Sequence, residues 1–308
     1  MATTGTVQAT DFDRAIERAQ AAYLDRVAPG YRTRRVRWSG GTTQLIEMGS
    51  GEPLLLIHGG GGYAAQWGPI LCGLAKRHRV LAIDRPGHGL ADPFHYKGVD
   101  VLEHCHRFVA DFLDGEKLQS VLIAGNSMGG LCASAFAFQS AERVRHLLLI
   151  GFPAGMRRNL PLPMRMAALP IVKTLLREAV MKRPTRQRAQ GMWKRFLVAH
   201  LDRVPQDFMD LEVLCQRRNV STWISLMDRL IDSRGFRPEL VISDRLKTTS
   251  VPTTFIWGDR DAAGRADEAE ALAAQNTQIR VRRIADAGHV PWFDDPNAVI
   301  EAVHMALA

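Results

Sequence analysis

Long hydrophobic runs are missing from this chain of 308 residues: the longest, such as Leu54 to Ile57 and Leu147 to Ile150, extend over four residues. A helix that spans a bilayer needs about 20, so no transmembrane helix is expected. Cysteine is scarce too. Cys72, Cys105, Cys132 and Cys215 are scattered through apolar or helical contexts without a CxxC spacing, which excludes a dithiol redox motif and a thiolate metal site and reads as reduced core residues. The first ten residues lack a basic start and an apolar stretch, and Asp11 and Asp13 follow at once, so no secretory signal is read and a cytoplasmic location is expected. What the chain has in quantity is apolar material, 46% of its residues, enough for one large globular domain or one domain with an insertion.

An excess of one charge is also absent from most of the sequence. The net charge of +8 arises between residues 153 and 249, where 19 basic side chains outnumber nine acidic ones; the remainder carries −2. No zinc-finger, homeodomain or RNA-recognition pattern accompanies the basic segment, and it has no glycine-punctuated aromatics of the kind that stack bases, so nucleic acid is excluded as a partner. Between Arg157 and Arg188, nine basic residues and the single acid Glu178 are interleaved with apolar ones. Docking on an anionic membrane surface fits this stretch poorly, because Pro161, Pro163 and Pro170 break the long amphipathic helix an anchor requires. Attraction of an acidic, hydrophobic small-molecule substrate fits better. The plain alternative is a solvated basic face.

Along the chain, a helical stretch from Asp11 to Asp25 is followed by Thr33 to Trp38 and Thr43 to Met48, which flank the turn Ser39-Gly40-Gly41 as an antiparallel hairpin at a sheet edge. Short apolar runs then alternate with helical patterns. Leu54–Ile57, Val80–Ile83, Val121–Ala124, Leu147–Ile150, Thr253–Trp257 and Ile279–Ile284 read as strands; Ala64 to Arg77, Val101 to Leu113, Met128 to Gln139, Arg265 to Ala274 and Asn297 to Ala306 read as covering helices. The alternation means a mostly parallel sheet with helices on both faces. Residues 153–249 interrupt it with helical stretches broken by six prolines and no strand-like alternation, so they are read as an inserted helical cap. The expected organisation is an N-terminal helical extension over 1–30, a core from 31–152 and 250–308, and the cap between. The insertion holds seven of the eleven methionines, suited either to an adaptable apolar surface or to an irregular core.

The chemistry-bearing residues lie at strand ends. Val121–Ala124 runs into Gly125-Asn126-Ser127-Met128-Gly129-Gly130 and then into a helix. In a Gly-x-Ser-x-Gly turn, small flanking residues permit a sharp strand-to-helix bend that presents the serine hydroxyl at the helix N-terminus. Such a hydroxyl needs a base and an orienting acid. His289, in Ala287-Gly288-His289-Val290-Pro291 after the last strand, is at the right end of the sheet, whereas His58 and His88 belong to glycine-rich turns and suit backbone hydrogen bonding. For the acid, Thr253–Trp257 ends in Gly258-Asp259-Arg260-Asp261, and two carboxylates compete there. The Met128 N–H at the start of the helix is one donor for a developing oxyanion. The second is sought in His58-Gly59-Gly60-Gly61-Gly62, which lacks the following lysine and Ser/Thr of a phosphate-binding loop.

These strings, together with Asp84-Arg85-Pro86-Gly87-His88-Gly89, resemble those of α/β-hydrolase fold serine hydrolases with a helical cap, over the chain from about residue 30 onward apart from the cap. The resemblance implies Ser127 as nucleophile, His289 as base and Asp261, rather than Asp259, as acid. It implies Gly60 as the second oxyanion donor, with Gly61 beside it, and a structural role for Asp84 to Gly89. No metal or organic cofactor is implied. A serine at the elbow sets the chain apart from haloalkane dehalogenase-like and epoxide hydrolase-like members, which carry aspartate there. Gly-Asn-Ser-Met-Gly-Gly is similar to the elbow of meta-cleavage-product hydrolases, which cut carbon–carbon bonds in anionic diketo acids, and it also occurs in carboxylesterases. Ester hydrolysis of a small, largely hydrophobic substrate is the broader expectation, carbon–carbon hydrolysis the alternative, and a ligand receptor without turnover the third.

Overall fold

The structure, a computed structural model, describes residues 10–160, 165, 166, 169 and 184–308. Its strands, in chain order, are β1 (Arg32–Trp38), β2 (Gly41–Met48), β3 (Glu52–Ile57), β4 (His78–Ile83), β5 (Val121–Asn126), β6 (Val144–Ile150), β7 (Ile231–Asp232), β8 (Gly235–Phe236), β9 (Thr253–Gly258) and β10 (Ile279–Ile284). Eight of them form one sheet in the order β1-β2-β4-β3-β5-β6-β9-β10. β2 is antiparallel to both its neighbours and every other pair is parallel, so β2 alone runs against the rest.

Each central strand carries an unbroken apolar run because both faces of the sheet are covered there. Leu55 and Ile57 of β3 pack with Phe108, Phe112, Leu131, Phe136 and Leu272 on one face. Leu54 and Leu56, pointing the other way, pack with Tyr23, Trp67, Leu71, Val299 and Val303 on the other. The covering helices are thus α3 (Val101–Gly115), α4 (Met128–Gln139) and α8 (Ala266–Ala273) on the first face, and α1 (Asp11–Val27), α2 (Gly68–Leu74) and α10 (Pro296–Ala306) on the second. Nearly every residue of α4 is buried, so it is apolar all round. The expected helix from Ala64 resolves into a short 3₁₀ turn, Ala64–Trp67, followed by α2, whose Pro69 sits in the first turn, where a missing N–H costs no helical bond. Both edge strands are rich in arginine, Arg32, Arg34, Arg35 and Arg37 on β1 and Arg280, Arg282 and Arg283 on β10, a pattern that discourages pairing with a further strand.

Between β6 and β9 the described part of the insertion contains α5 (Arg186–Met192), α6 (Gln206–Leu230) and α7 (Ser243–Lys247). It also contains the antiparallel pair of β7 and β8, two residues each, which the sequence reading of an insertion without strands does not include. Of the insertion's methionines, Met156 and Met209 are buried and Met166 is exposed. Met164, Met181, the three prolines at 161, 163 and 170, and the basic residues Lys173, Arg177, Lys182 and Arg183 lie outside the described residues. The N-terminal helix, read from sequence as an extension, docks on the insertion. Arg26 pairs with Asp207 at 2.6 Å, Arg218 with Asp13 at 2.6 Å, and the Tyr23 and Phe208 rings lie 5.2 Å apart. Among the described residues, no helix is long and apolar enough to cross a membrane, and no group of three or more His, Cys, Asp or Glu side chains is placed to hold a metal ion.

Asp84 ties two loops at the end of β4. Its carboxylate accepts from the Ala64 N–H at 2.6 Å and the Leu90 N–H at 2.8 Å, and burial pushes it up to about 6 although both amides pull the other way. Asp84→Ala strands both donors in the interior at about 1–3 kcal/mol each. The expected result is a stability loss of roughly 2–6 kcal/mol, read from urea unfolding. A loss below about 1 kcal/mol would mean that water reaches those amides once the carboxylate is gone.

Candidate active site

The bend after β5 places Ser127 at the N-terminus of α4 with φ 51° and ψ −112°, a strained conformation for a residue other than glycine. Crowding explains the small residues around it. A side chain at Gly125 would come within 2.3 Å of the Gly129 carbonyl, and one at Gly129 within 2.0 Å of the Ile57 carbonyl. Asn126 and Met128 are buried on either side, while Ser127 itself is partly exposed.

His289 follows β10. Its Nδ1 lies 2.8 Å from Asp261 Oδ2, and that carboxylate is fully buried. Asp261 accepts two backbone hydrogen bonds as well, from the Phe152 N–H to Oδ2 (2.9 Å) and from the Ala263 N–H to Oδ1 (2.8 Å). A carboxylate held by two N–H donors acts as acceptor toward the imidazole, so Nδ1 carries the proton and Nε2 is left with its lone pair. Burial pushes His289 down, the charge and hydrogen bond of Asp261 push it up, and the net direction is upward from the ordinary histidine value. Asp259, the competing carboxylate, is 35% exposed and faces Arg283 of β10 at 3.3 Å. The structure therefore brings His289 to Asp261 and leaves Asp259 on the surface.

The glycine-rich loop after β3 lies against the elbow. A side chain at Gly59 would meet Asn126 Oδ1 at 2.5 Å and Ser127 Cβ at 3.4 Å; one at Gly60 would meet Met128 Cγ at 3.3 Å. Gly60 is exposed and Gly61 adopts φ 71°. Buried Arg85 braces this loop, donating from Nε to the His58 carbonyl at 3.1 Å and from Nη2 to the Gly59 carbonyl at 2.9 Å. His58 Nε2 accepts from the Arg85 N–H at 2.8 Å, and His88 Nδ1 lies 3.0 Å from the Pro86 carbonyl. Burial, followed by the Arg85 charge, holds both imidazoles well below the ordinary histidine value.

Three contributors escaped the sequence reading. Asn126 donates from Nδ2 to the Ile150 carbonyl (2.7 Å) and to the His289 carbonyl (3.0 Å), so the residue before the serine also anchors the histidine loop. The Phe152 amide steadies Asp261. Trp223 of α6 stands beside the glycine loop, its ring 2.5 Å from where a Gly60 Cβ would stand. Only Asn126 belongs to a local motif, and no local pattern reveals that its amide reaches a loop 163 residues away.

Comparison with known proteins agrees with this architecture. A hydrolase of 2-hydroxy-6-oxononadienedioate and 2-hydroxy-6-oxononatrienedioate from Cupriavidus pinatubonensis is 30% identical over 227 residues, 70% of this chain and 73% of that one. A carboxylesterase of Bacillus subtilis superposes with a TM-score of 0.73 at 19% identity, over 97% of this chain and 99% of its own. A meta-cleavage product hydrolase from Pseudomonas fluorescens gives 0.68 at 21% identity, over 89% and 97%. The model of the alpha/beta hydrolase family matches residues 54–302, which hold the glycine loop, the serine elbow and the histidine loop alike, and the chain belongs to that family.

Proposed function

We propose that the chain is a serine hydrolase that cleaves a carboxylic ester, or a related acyl bond, of a small and largely hydrophobic substrate. Ser127 Oγ attacks the carbonyl carbon and passes its proton to His289 Nε2. Asp261 holds the imidazole and offsets its charge, and the N–H groups of Gly60 and Met128 receive the oxyanion. The protonated imidazole gives its proton to the leaving alcohol. Water, deprotonated by the same nitrogen, then attacks the acyl-enzyme and frees Ser127. Each step falls to a side chain or backbone N–H of the chain, so no metal or organic cofactor is invoked.

The observation that carries this reading is the 2.8 Å bond between His289 Nδ1 and the fully buried Asp261, which fixes the tautomer a serine nucleophile needs. The Trp223 ring beside Gly60 supports an apolar substrate. The 30% identical relative named for 2-hydroxy-6-oxononadienedioate favours a second reading, hydrolysis of a carbon–carbon bond in an anionic diketo acid by the same three residues.

A fluorophosphonate is expected to label the protein on Ser127, and Ser127→Ala to abolish labelling. A wild-type protein that resists the probe would overturn both readings. Turnover of p-nitrophenyl esters against turnover of a yellow ring-fission dienoate then separates ester from carbon–carbon cleavage.

A further inference from the structure

The backbone on both sides of His289 is held by the insertion, and one carboxylate makes most of the connection. Asp294 ends the short helix α9 (Pro291–Asp294) and is only 4% exposed. Its Oδ2 accepts from the Gly288 N–H at 2.8 Å and from the Ala199 N–H at 3.1 Å, and its Oδ1 accepts from the His200 N–H at 2.8 Å. The Asp294 carbonyl accepts from Arg203 Nη1, again at 2.8 Å. On the far side of the histidine, the Val290 N–H donates to the Leu197 carbonyl at 2.9 Å. Residues 197–200 are packed so closely on this loop that a side chain at Gly288 would lie 2.7 Å from the Leu197 carbonyl and 2.8 Å from Val198 Cα.

A local task does not account for Asp294. The cap of the following helix α10 belongs to its neighbour Asp295, whose side chain accepts from the Ala298 N–H at 2.9 Å. Two of the three amides that Asp294 holds are 94 and 95 residues away in sequence, in the insertion, and the third adjoins His289. Ionised carboxylates bind N–H groups more strongly than neutral acceptors do, and three such bonds from a buried group leave the backbone little freedom. Without residues 197–200, the same carboxylate has one remaining partner beside the histidine, and Val290 loses its acceptor.

We propose that Asp294 is a positioning residue for His289: it makes docking of residues 197–200 and alignment of the imidazole a single event. The inference rests on the reading of His289 as the base. It adds that the insertion sets the direction of Nε2 as well as shaping the site. With the docking contacts intact, the Gly288 and Val290 amides are fixed and the ring is held on Asp261. With them broken, the ring drifts from Asp261, which weakens the influence that raises its proton affinity.

The test is Asp294→Asn, which keeps shape and one acceptor but turns an NH₂ group toward N–H donors. At equal folded fraction, the rate of fluorophosphonate labelling and kcat are expected to fall by about 10- to 100-fold, the range for a reacting group misplaced by up to ~1 Å. KM should change much less, and the acid limb of the labelling rate should move to lower pH. Hydrogen exchange should increase together at residues 197–200 and 288–290. Asp294→Glu, which retains the carboxylate, should recover part of the rate and of the wild-type limb, and it replaces the Asn variant if that one fails to fold. His200→Ala removes the side-chain pairing with Asp286 but keeps the N–H to Asp294, so it should label at nearly the wild-type rate. A variant at 294 with a lower melting temperature but an unmoved acid limb and kcat would reduce Asp294 to a structural tie and overturn the proposal. Absence of labelling in the wild type would instead remove the proposed function on which it rests.

Discussion

Ser127→Ala is expected to lower kcat by about four to six orders of magnitude, leaving only what binding and the oxyanion donors supply. Loss of the nucleophile and relief of backbone strain can be separated at this position. At φ 51° and ψ −112°, serine and alanine both endure a conformation that costs about 1–3 kcal/mol, whereas glycine accepts it. Glycine also loses about 0.4–1 kcal/mol more than alanine in chain entropy on folding. Ser127→Gly should therefore be equally inactive yet more stable than Ser127→Ala, by about 1–2 kcal/mol in urea unfolding. Equal stability of the two would mean that the bend stores no strain, and a substantial residual kcat in either would exclude Ser127 as nucleophile.

The acid carries the second large effect. Asp261→Asn is expected to reduce kcat by about 10⁴-fold, because an amide facing Nδ1 favours the wrong tautomer, whereas Asp259→Asn should stay within a few-fold of wild type. The pH profile provides an independent readout. With Asp261 in place, the net shift of His289 is upward, so the acid limb of kcat/KM should lie above the ordinary histidine value of about 6.5. In Asp261→Asn, burial acts unopposed and the limb of the residual activity should fall below it. Stability follows the same sign. A histidine whose folded value is raised contributes stability that is complete below its unfolded value and is lost as pH rises through the folded one. The gap in stability between wild type and Asp261→Asn should therefore be wider at pH 5 than at pH 9. A profile unmoved by Asp261→Asn, or a collapse of activity in Asp259→Asn, would reverse the assignment.

Legibility in the sequence followed the reach of each signal. Leu54–Ile57 and Leu147–Ile150 were readable as strands because parallel strands covered on both faces need unbroken apolar runs. The first half of β6 was not, since Arg145 and His146 interrupt the pattern before the run begins. The elbow around Ser127 is a local motif, and so could be placed between strand and helix from neighbouring residues alone. Asp259 and Asp261, two residues apart at the same strand end, differ in what they face: one meets an arginine on the adjacent strand, the other is buried against the histidine. That distinction is three-dimensional, and family resemblance, not spacing, selected Asp261. The long-range bonds of Asn126, Phe152 and Asp294 reach across 94 to 163 residues, and those of α1 to the insertion across 181 to 205, so no periodicity betrays them.

The length of α6 has a mechanical consequence. Its 25 residues span ~38 Å. It is pinned near its start by Arg26 and Tyr23, midway by Asp13, then by the Thr222 bond to the Phe94 carbonyl and the Tyr96 amide bond to Ser225, and near its end by the Arg229 bond to the Val99 carbonyl. A beam fixed at such close intervals has no free span to swing. The Trp223 ring is thus carried on a fixed support, and it stands beside the glycine loop as a doorpost stands beside a doorway, not as a door that swings across it.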